Sequence, residues 1–432
     1  MSKPIQVFEH GSLAVGDQGF TEHQFAALVR YNERHGCAFF NVGHLRLHFG
    51  SFVGVVQVGS LAIEILPKLD NEASPDKSKW QRALLQMLRQ SGLLAIEAAP
   101  EADLHLRKSP LVDVYLDAFL AEVERLTHGG LVKRYRLTEG NLHKLKGRIQ
   151  FPQHIRRNLL HQERIYTAHE TYDCDNPFNR ILKAALAIVQ RLAIRQSLTS
   201  RAAASFLSFE NVADARITAQ TFDRLAFGRN TEPYRRAVQL ARLIILNYSP
   251  DLRGGHEHVI AILFEMSELF ERFIFVHLRR AAPRYAARRL RVADQVRKRF
   301  WCWKQIRPDI VADYDDAPAA TRVILDTKWK VPRDGQPADD DLKQMYTYNL
   351  HFGGCRSVLV YPSAGPHQVP TDQPYAHSAS LPAGHSHNCA TFYINLFDAQ
   401  NRLRKDIGNE LVQKAILNRA SVTLTIDIPR AC

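Results

Sequence analysis

The chain is short of several things that would assign it to a special class. Its six cysteines (Cys37, Cys174, Cys302, Cys355, Cys389 and Cys432) are scattered through 432 residues without a Cys-x-x-Cys pair. That spacing argues against a disulfide framework or a four-cysteine zinc site and fits reduced thiols in ordinary packing. There is no apolar run of about eighteen residues, and the start, MSKPIQVFEHG, lacks the basic-then-apolar layout of a secretory signal. A cytoplasmic protein without membrane contact is therefore expected. A Gly-x-x-x-x-Gly-Lys-Ser/Thr loop is also missing, so no nucleotide binding or hydrolysis is expected of this chain by itself. No internal repeat is present.

Acidic residues are the other shortage. The 57 Lys and Arg outnumber the 44 Asp and Glu, for a formal charge of +13, which favours a polyanionic partner, with nucleic acid the leading candidate. The excess is clustered. Between Arg272 and Arg307 there are twelve Lys or Arg and one acid, Asp294, and between Lys133 and Arg164 nine against Glu139 and Glu163. Such clusters can neutralise phosphates and release counterions, although solvated helix faces would look the same.

The length exceeds that of one hydrophobic core, and three regions are expected. Residues 1–130 read as a β-rich module with helices. Its strands run from Ala38 to Val42, Leu45 to Phe49, Val53 to Val58 and Leu61 to Leu66, with helical spacing from Ser78 to Gln90 and Leu111 to Leu126. Residues 131–254 read as a basic, helical middle region, with one helix starting at Asp175-Asn176-Pro177 and another near Pro233. The breaker-rich segment from Ser249 to Gly255 sets the next boundary. Residues 255–432 read as a long helix (about His256 to Arg279), strands at Lys304 to Ala312 and Arg322 to Val331, a helix at about Asp339 to His351 and a strand at Ser357 to Tyr361. That order indicates an α/β domain with a mixed sheet, α+β over the whole chain. The Pro-, Ser- and His-rich stretch from Gly365 to His387 reads as a peripheral loop.

The candidate chemistry lies in the last region. Pro308-Asp309 precedes an apolar strand, and Asp326-Thr327-Lys328 follows on the next strand, seventeen positions after Asp309. Asp326 and Lys328, two apart, share one strand face and Thr327 points away. A hairpin between the runs would set Asp309 beside Asp326. Two carboxylates and a lysine suit phosphodiester hydrolysis: hard oxygens hold Mg²⁺, or Mn²⁺, the ion activates a water, and the ammonium orients it or stabilises developing charge. Glu271 falls within a mostly apolar helical stripe (Ile260, Phe264, Ser267, Phe275, Leu278), where a carboxylate needs a partner: either an arginine or the same metal. Gln344 and Tyr348 share a helix face, with Asp341 one turn earlier, and could flank the scissile strand. The expected catalytic residues are thus Asp309, Asp326, Lys328, Gln344 and Tyr348, and the expected metal ligands Glu271, Asp309, Asp326 and Thr327. His385-x-His387-x-Cys389 lacks a fourth ligand and reads as surface histidines.

The ordered set from Phe264 to Pro362 resembles the PD-(D/E)xK nuclease superfamily, in its RecB-like branch with a Gln-x-x-x-Tyr element. A wider set resembles the McrC family: Leu61-Ala62-Ile63-Glu64-Ile65-Leu66-Pro67-Lys68, Asn141 with Lys146-Gly147-Arg148-Ile149, Tyr172-Asp173 with Asp175-Asn176-Pro177-Phe178-Asn179-Arg180, and Leu269-Phe270-Glu271. The resemblance implies a Mg²⁺-dependent DNA endonuclease subunit of a modification-dependent restriction system, with a hexameric AAA+ GTPase of the McrB type as motor partner. A stand-alone RecB-like repair nuclease and a non-catalytic DNA-binding or assembly subunit remain the alternatives.

Overall fold

The computed structural model describes residues 4–36, 39–69, 75–94, 110–161, 163–250, 258–316, 319–332, 335–353, 356–363, 371–376 and 387–417. The chain opens with β1 (Ile5–Phe8), β2 (Ser12–Ala14), a helix (Glu22–His35), β3 (Phe40–Gly43), β4 (Arg46–Phe49), β5 (Phe52–Val58) and β6 (Leu61–Leu66). The first helix is an addition to the expected strands. A reciprocal capping box starts it, with the Gln24 N–H donating to Thr21 Oγ1 at 3.3 Å and the Thr21 N–H to Gln24 Oε1 at 2.9 Å. It buries only Ala27, Leu28 and Tyr31, too narrow a stripe to stand out in sequence.

β5 and β6 read as nearly continuous apolar runs because both of their faces are covered. Val56, Val58, Ile63 and Ile65 face a small core under the first helix and the β2–β4–β3 sheet, while Val53, Val55, Ala62 and Leu66 face the main core. Glu64 is buried between them. It accepts from Gln6 Nε2 (2.9 Å), Gln81 Nε2 (2.8 Å) and the Leu111 N–H (3.0 Å), so its place in the chain is structurally accounted for. Helices Lys77–Gln90 and Leu111–His128 follow, close to their expected spans.

The middle region departs from the helical expectation. β7 (Arg134–Leu142), β8 (Arg148–Ile149) and β9 (Ile165–Asp173) form an antiparallel sheet, with a short helix (Phe151–Asn158) between β8 and β9. On β7, Tyr135 and Leu137 share an exposed face with Tyr172, opposite Tyr135 on β9. With apolar residues on the exposed face, no inward alternation marks these strands. Gly147 has φ +69°, and a Cβ there would lie 2.4 Å from the Ala168 carbonyl oxygen, so only glycine lets the chain cross β9 here. The expected helix start holds: Asn176 Oδ1 accepts from the N–H groups of Phe178 (3.1 Å) and Asn179 (3.3 Å) at the head of Pro177–Leu192. Arg180 pairs with Asp175 at 2.6 Å, and Asn176 and Asn179 both donate to the Val132 carbonyl. The Asp175–Arg180 motif is therefore a structural joint.

Helices Gln196–Leu207, Ala219–Asp223 and Arg235–Leu246 lead to β10 (Tyr248–Ser249) and β11 (Val259–Glu265). β11 corrects the expected helix from His256. Its apolar run pairs antiparallel with β5, Val259 opposite Val58 through Glu265 opposite Phe52, and the helix begins only at Met266, where Glu265 Oε2 accepts the Glu268 N–H at 3.0 Å. The tie is so close that a Cβ on Gly54 would meet the Ile262 carbonyl oxygen at 2.2 Å. The five-stranded sheet runs β1–β6–β5–β11–β10, so the boundary expected at 254/255 falls between two paired strands.

After helix Met266–Ala281 come β12 (Arg291–Asp294), β13 (Lys298–Trp301), β14 (Lys304–Ile306), β15 (Ile310–Asp316), β16 (Ala319–Thr327), helix Asp339–Phe352, β17 (Arg356–Ser363), β18 (Asp372–Pro374) and β19 (Asn388–Asn395). The strand expected from Lys304 to Ala312 is two strands, because Pro308 has no N–H to donate to a ladder. β18 lies inside the stretch read as a loop. The sheet order is β12–β15–β16–β17–β19–β18, with β15/β16 an antiparallel hairpin and β16, β17 and β19 parallel. One face (Ile310, Ala312, Val323, Leu325, Val358) packs into the main core with helix Met266–Ala281. The other (Val311, Ile324, Leu359) packs on Met345, Tyr348 and Phe352 of helix Asp339–Phe352. This sandwiched mixed sheet is the expected α/β unit. Trp329, beyond β16, meets the Trp80 ring edge-on and the Phe270 ring at a tilt and donates to Glu9 Oε1 at 2.9 Å, fastening the strand end to the N-terminal sheet. No helix among the described residues is long and apolar enough to cross a membrane.

Candidate active site

The ends of β15 and β16 bring the expected residues together. Asp309 sits one position before β15, Asp326 next to the end of β16, and Lys328 just beyond it. Since Ile310 pairs with Leu325, continuing the hairpin sets Asp309 beside Asp326. Lys328 Nζ lies 2.6 Å from Asp326 Oδ2, with Asp326 only 2% exposed. The same ammonium donates to Gln344 Oε1 (3.0 Å), Gln344 Nε2 donates to the Tyr348 hydroxyl (2.8 Å), and that hydroxyl donates to the Arg307 carbonyl (3.1 Å). Gln344 and Tyr348 thus form a hydrogen-bonded chain from the lysine back to the residue before Pro308.

Thr327 differs from its expectation. Its N–H (2.7 Å) and hydroxyl (2.8 Å) both donate to Asp309 Oδ2. The strand ends at Thr327, so the alternation that would have pointed this side chain away stops there. Glu271, in the second turn of helix Met266–Ala281, accepts from Gln295 Nε2, and the Gln295 N–H donates to the Asp309 carbonyl at 3.0 Å. Gln295 was not legible beforehand; nothing in its surroundings in sequence marks it. Asp341 is buried, 2.6 Å from Lys330 and 3.7 Å from Lys328.

Charge accumulates here. Burial first, then the Asp309 carboxylate, push Asp326 up to about 7, and the same two causes in the same order raise Glu271 to about 7. Burial also raises Asp309, against the opposing Thr327 hydrogen bonds. Burial alone would lower Lys328, but Asp326 and its acidic neighbours outweigh it and hold the ammonium charged. Three hard-oxygen side chains that repel one another suit a divalent cation. The ligand shell is not preformed. Among the described residues no three His, Cys, Asp or Glu side chains are arranged to hold an ion; Lys328 is paired with Asp326 Oδ2, and the Thr327 hydroxyl donates to Asp309 Oδ2.

The zinc alternative gains nothing. His387 is half-buried against the Tyr346 ring rather than on the surface, Cys389 is buried in β19, and His385 lies outside the described residues. Cys174, Cys302 and Cys389 are free thiols.

A mixed sheet flanked by helices, with Glu271, Asp309, Asp326 and Lys328 converging at the ends of adjacent strands, defines an α/β protein with a carboxylate–lysine centre. Residues 47–362, nearly three quarters of the sequence, match the model of one family, and the chain belongs to that family, the McrBC 5-methylcytosine restriction system component. It is similar to the type IV methyl-directed restriction enzyme EcoKMcrBC of Escherichia coli (strain K12), 25% identical over 200 residues, 45% of this chain and 55% of that protein. The chain thus spans about half the length of this curated relative. In fold it is similar to a chain of a refined half-complex from the tetradecameric assembly of Thermococcus gammatolerans McrB AAA+ hexamers with bound McrC, at TM-score 0.68 and 19% identity, covering 96% of this chain and all of that one. A chain of the Thermococcus gammatolerans McrBC complex is similar over 64% of this chain and 88% of its own length, at 20% identity and TM-score 0.48.

Proposed function

We propose that this chain is the McrC-type nuclease subunit of a modification-dependent (5-methylcytosine-type) restriction system. In this reading it is a PD-(D/E)xK endonuclease that hydrolyses DNA phosphodiesters with Mg²⁺ when assembled with a hexameric AAA+ GTPase. The observation that carries the reading is the convergence of Glu271, Asp309, Asp326 and Lys328 in one buried, charge-loaded site. Glu271, Asp309 and Asp326 would hold the ion, with Thr327 as a further ligand through its main-chain oxygen, because its hydroxyl is committed to Asp309. Bound there, Mg²⁺, or Mn²⁺ in its place, would polarise the scissile phosphate and acidify a water.

The chain's own residues supply the rest. Thr327 holds Asp309 in orientation through two hydrogen bonds. Gln344 and Tyr348 steady Lys328, whose ammonium can orient the attacking water or stabilise charge developing on a phosphate oxygen. Glu271 and Asp326, whose carboxyls burial and Asp309 raise, would release protons on holding a cation, which would offset their mutual repulsion.

The motor partner is supported by a second observation. Tyr135, Leu137, Leu145, Phe151, Ile155, Leu159, Leu160 and Tyr172 are all exposed on the small β7–β8–β9 module. Apolar side chains left in water at that density on one small module mark an interaction surface. The test is the purified chain on methylated and unmethylated DNA with Mg²⁺, with and without the AAA+ partner and GTP. Cleavage of methylated DNA only with the motor is the expected result. Robust cleavage by the chain alone would replace the reading with a stand-alone repair nuclease, and no cleavage in the full complex would replace it with an assembly subunit.

A further inference from the structure

Between Gln295 and Arg307 the chain leaves the catalytic sheet as an isolated hairpin, β13 and β14, and returns to it. Both ends are tied to the site. At the outgoing end Gln295 bonds Glu271 and the Asp309 carbonyl, and at the returning end the Arg307 carbonyl accepts from Tyr348. The base is packed as well: Val296 and Ile306 lie against the Met345, Tyr348 and Phe352 core, Lys298 Nζ donates to the His351 carbonyl, and the Phe300 ring meets His351 edge-on at 5.2 Å. The arm is therefore held in fixed relation to Asp309 and Lys328.

Its far end is built unlike a hairpin that only fills space. Trp301 is 62% and Trp303 77% exposed, on either side of Cys302, which takes a left-handed conformation (φ +44°) at the turn. Large indole rings seldom face water without a partner. On the same hairpin stand Arg297, Arg299 and Lys304, none of which is ion-paired among the described residues, and no acid occurs from Gln295 to Arg307. Exposed aromatic faces interleaved with uncompensated cations match one class of polymer: a nucleic acid strand, whose bases stack and whose phosphates carry the opposite charge.

We propose that this hairpin is a strand-engaging arm that stacks Trp301 and Trp303 on DNA bases beside the scissile phosphate, while Arg297, Arg299 and Lys304 contact the flanking phosphates. The location of the scissile phosphate rests on the nuclease reading above; the stacking and charge chemistry does not. From Ile306 to Cys302 the strand rises roughly 13 Å at ~3.3 Å per residue.

The test uses the full chain in EDTA, with fluorescein-labelled single- and double-stranded oligonucleotides and with 2-aminopurine as a stacking reporter. Trp301→Ala with Trp303→Ala is expected to weaken single-strand binding about tenfold per ring and to abolish quenching of 2-aminopurine. Trp301→Phe with Trp303→Phe, which keeps flat rings, is expected to retain most of both. Replacing Arg297, Arg299 and Lys304 by Gln is expected to weaken single and double strands alike and to flatten the salt dependence. Binding and quenching are read in EDTA and cleavage in a separate assay of the assembled complex with Mg²⁺, so loss of stacking and loss of cleavage are scored separately, and either reading can fail without the other. Wild-type binding and quenching by the alanine pair would overturn the proposal. So would an alanine pair that loses only association with an AAA+ partner or with a second copy of the chain.

Discussion

Replacing Asp326 with asparagine should stabilise the metal-free protein, and should do so more as the pH rises. Asp326 is almost fully buried, and burial together with Asp309 lifts its carboxyl from 3.8 to about 7. A carboxyl with a raised folded-state value contributes stability that is fully present below its unfolded value and is lost as pH rises through the folded value, here between about pH 4 and 7. At roughly 1.36 kcal/mol per pH unit the loss is about 4 kcal/mol at pH 8.5, an upper bound because Asp309 and Glu271 share the proton balance. The neutral amide does not pay this cost, and Lys328 keeps Gln344 and Asp341 nearby. Asp326→Asn is therefore expected to unfold in urea with stability equal to wild type near pH 3 and about 2–4 kcal/mol greater at pH 8.5 in EDTA. Adding Mg²⁺ should stabilise wild type, more at pH 8 than at pH 6, and leave the variant unmoved. A variant less stable than wild type at pH 8.5 in EDTA, or a difference that does not grow with pH, would refute the reasoning.

Three further outcomes are expected. Tyr348→Phe removes the hydroxyl that links Gln344 to Arg307; cleavage by the assembled complex should fall about tenfold with DNA affinity unchanged, read as kcat against KM. Leu137→Asp with Tyr172→Asp, on the exposed face of β7 and β9, should weaken assembly with the AAA+ partner in sedimentation while the melting temperature stays within about a degree, because neither side chain is in the core. Asn176→Ala removes two capping bonds and a link to Val132 and should cost about 1–2 kcal/mol in urea unfolding without affecting cleavage at saturating partner.

What was legible in the sequence follows the physics of each element. β5, β6 and helices Lys77–Gln90 and Pro177–Leu192 bury most of an apolar face or carry a cap, and their spans were readable. β7 and β9 were not, because they leave Tyr135, Leu137 and Tyr172 exposed and the segment between them carries most of the region's positive charge, which mimics a solvated helix. The run from Val259 to Phe264 was assigned to a helix because an apolar run of this length satisfies either period; its pairing with β5, two hundred residues away, decides for strand. At the site, Asp309, Asp326 and Lys328 were readable from a two-residue alternation and a hairpin. Glu271 was reached through a helical stripe whose first members, Ile260 and Phe264, belong to the preceding strand; the helix buries the neighbouring face (Met266, Leu269, Phe270, Phe273, Ile274), and Glu271 stands half-buried at its edge, one turn after the exposed Ser267. Gln295 and the orientation of Thr327 depend on where β12 and β16 end, which no local pattern encodes.

The measurement that tests the central claim most directly is cleavage of methylated plasmid by the full complex carrying Asp326→Ala, beside Lys328→Ala and wild type, with assembly checked by sedimentation. The expected result is complete loss of product by both variants in complexes that still form and still hydrolyse GTP. Undiminished cleavage by an assembled Asp326→Ala complex would contradict the account, because it would mean that the carboxylate–lysine centre does not cut DNA.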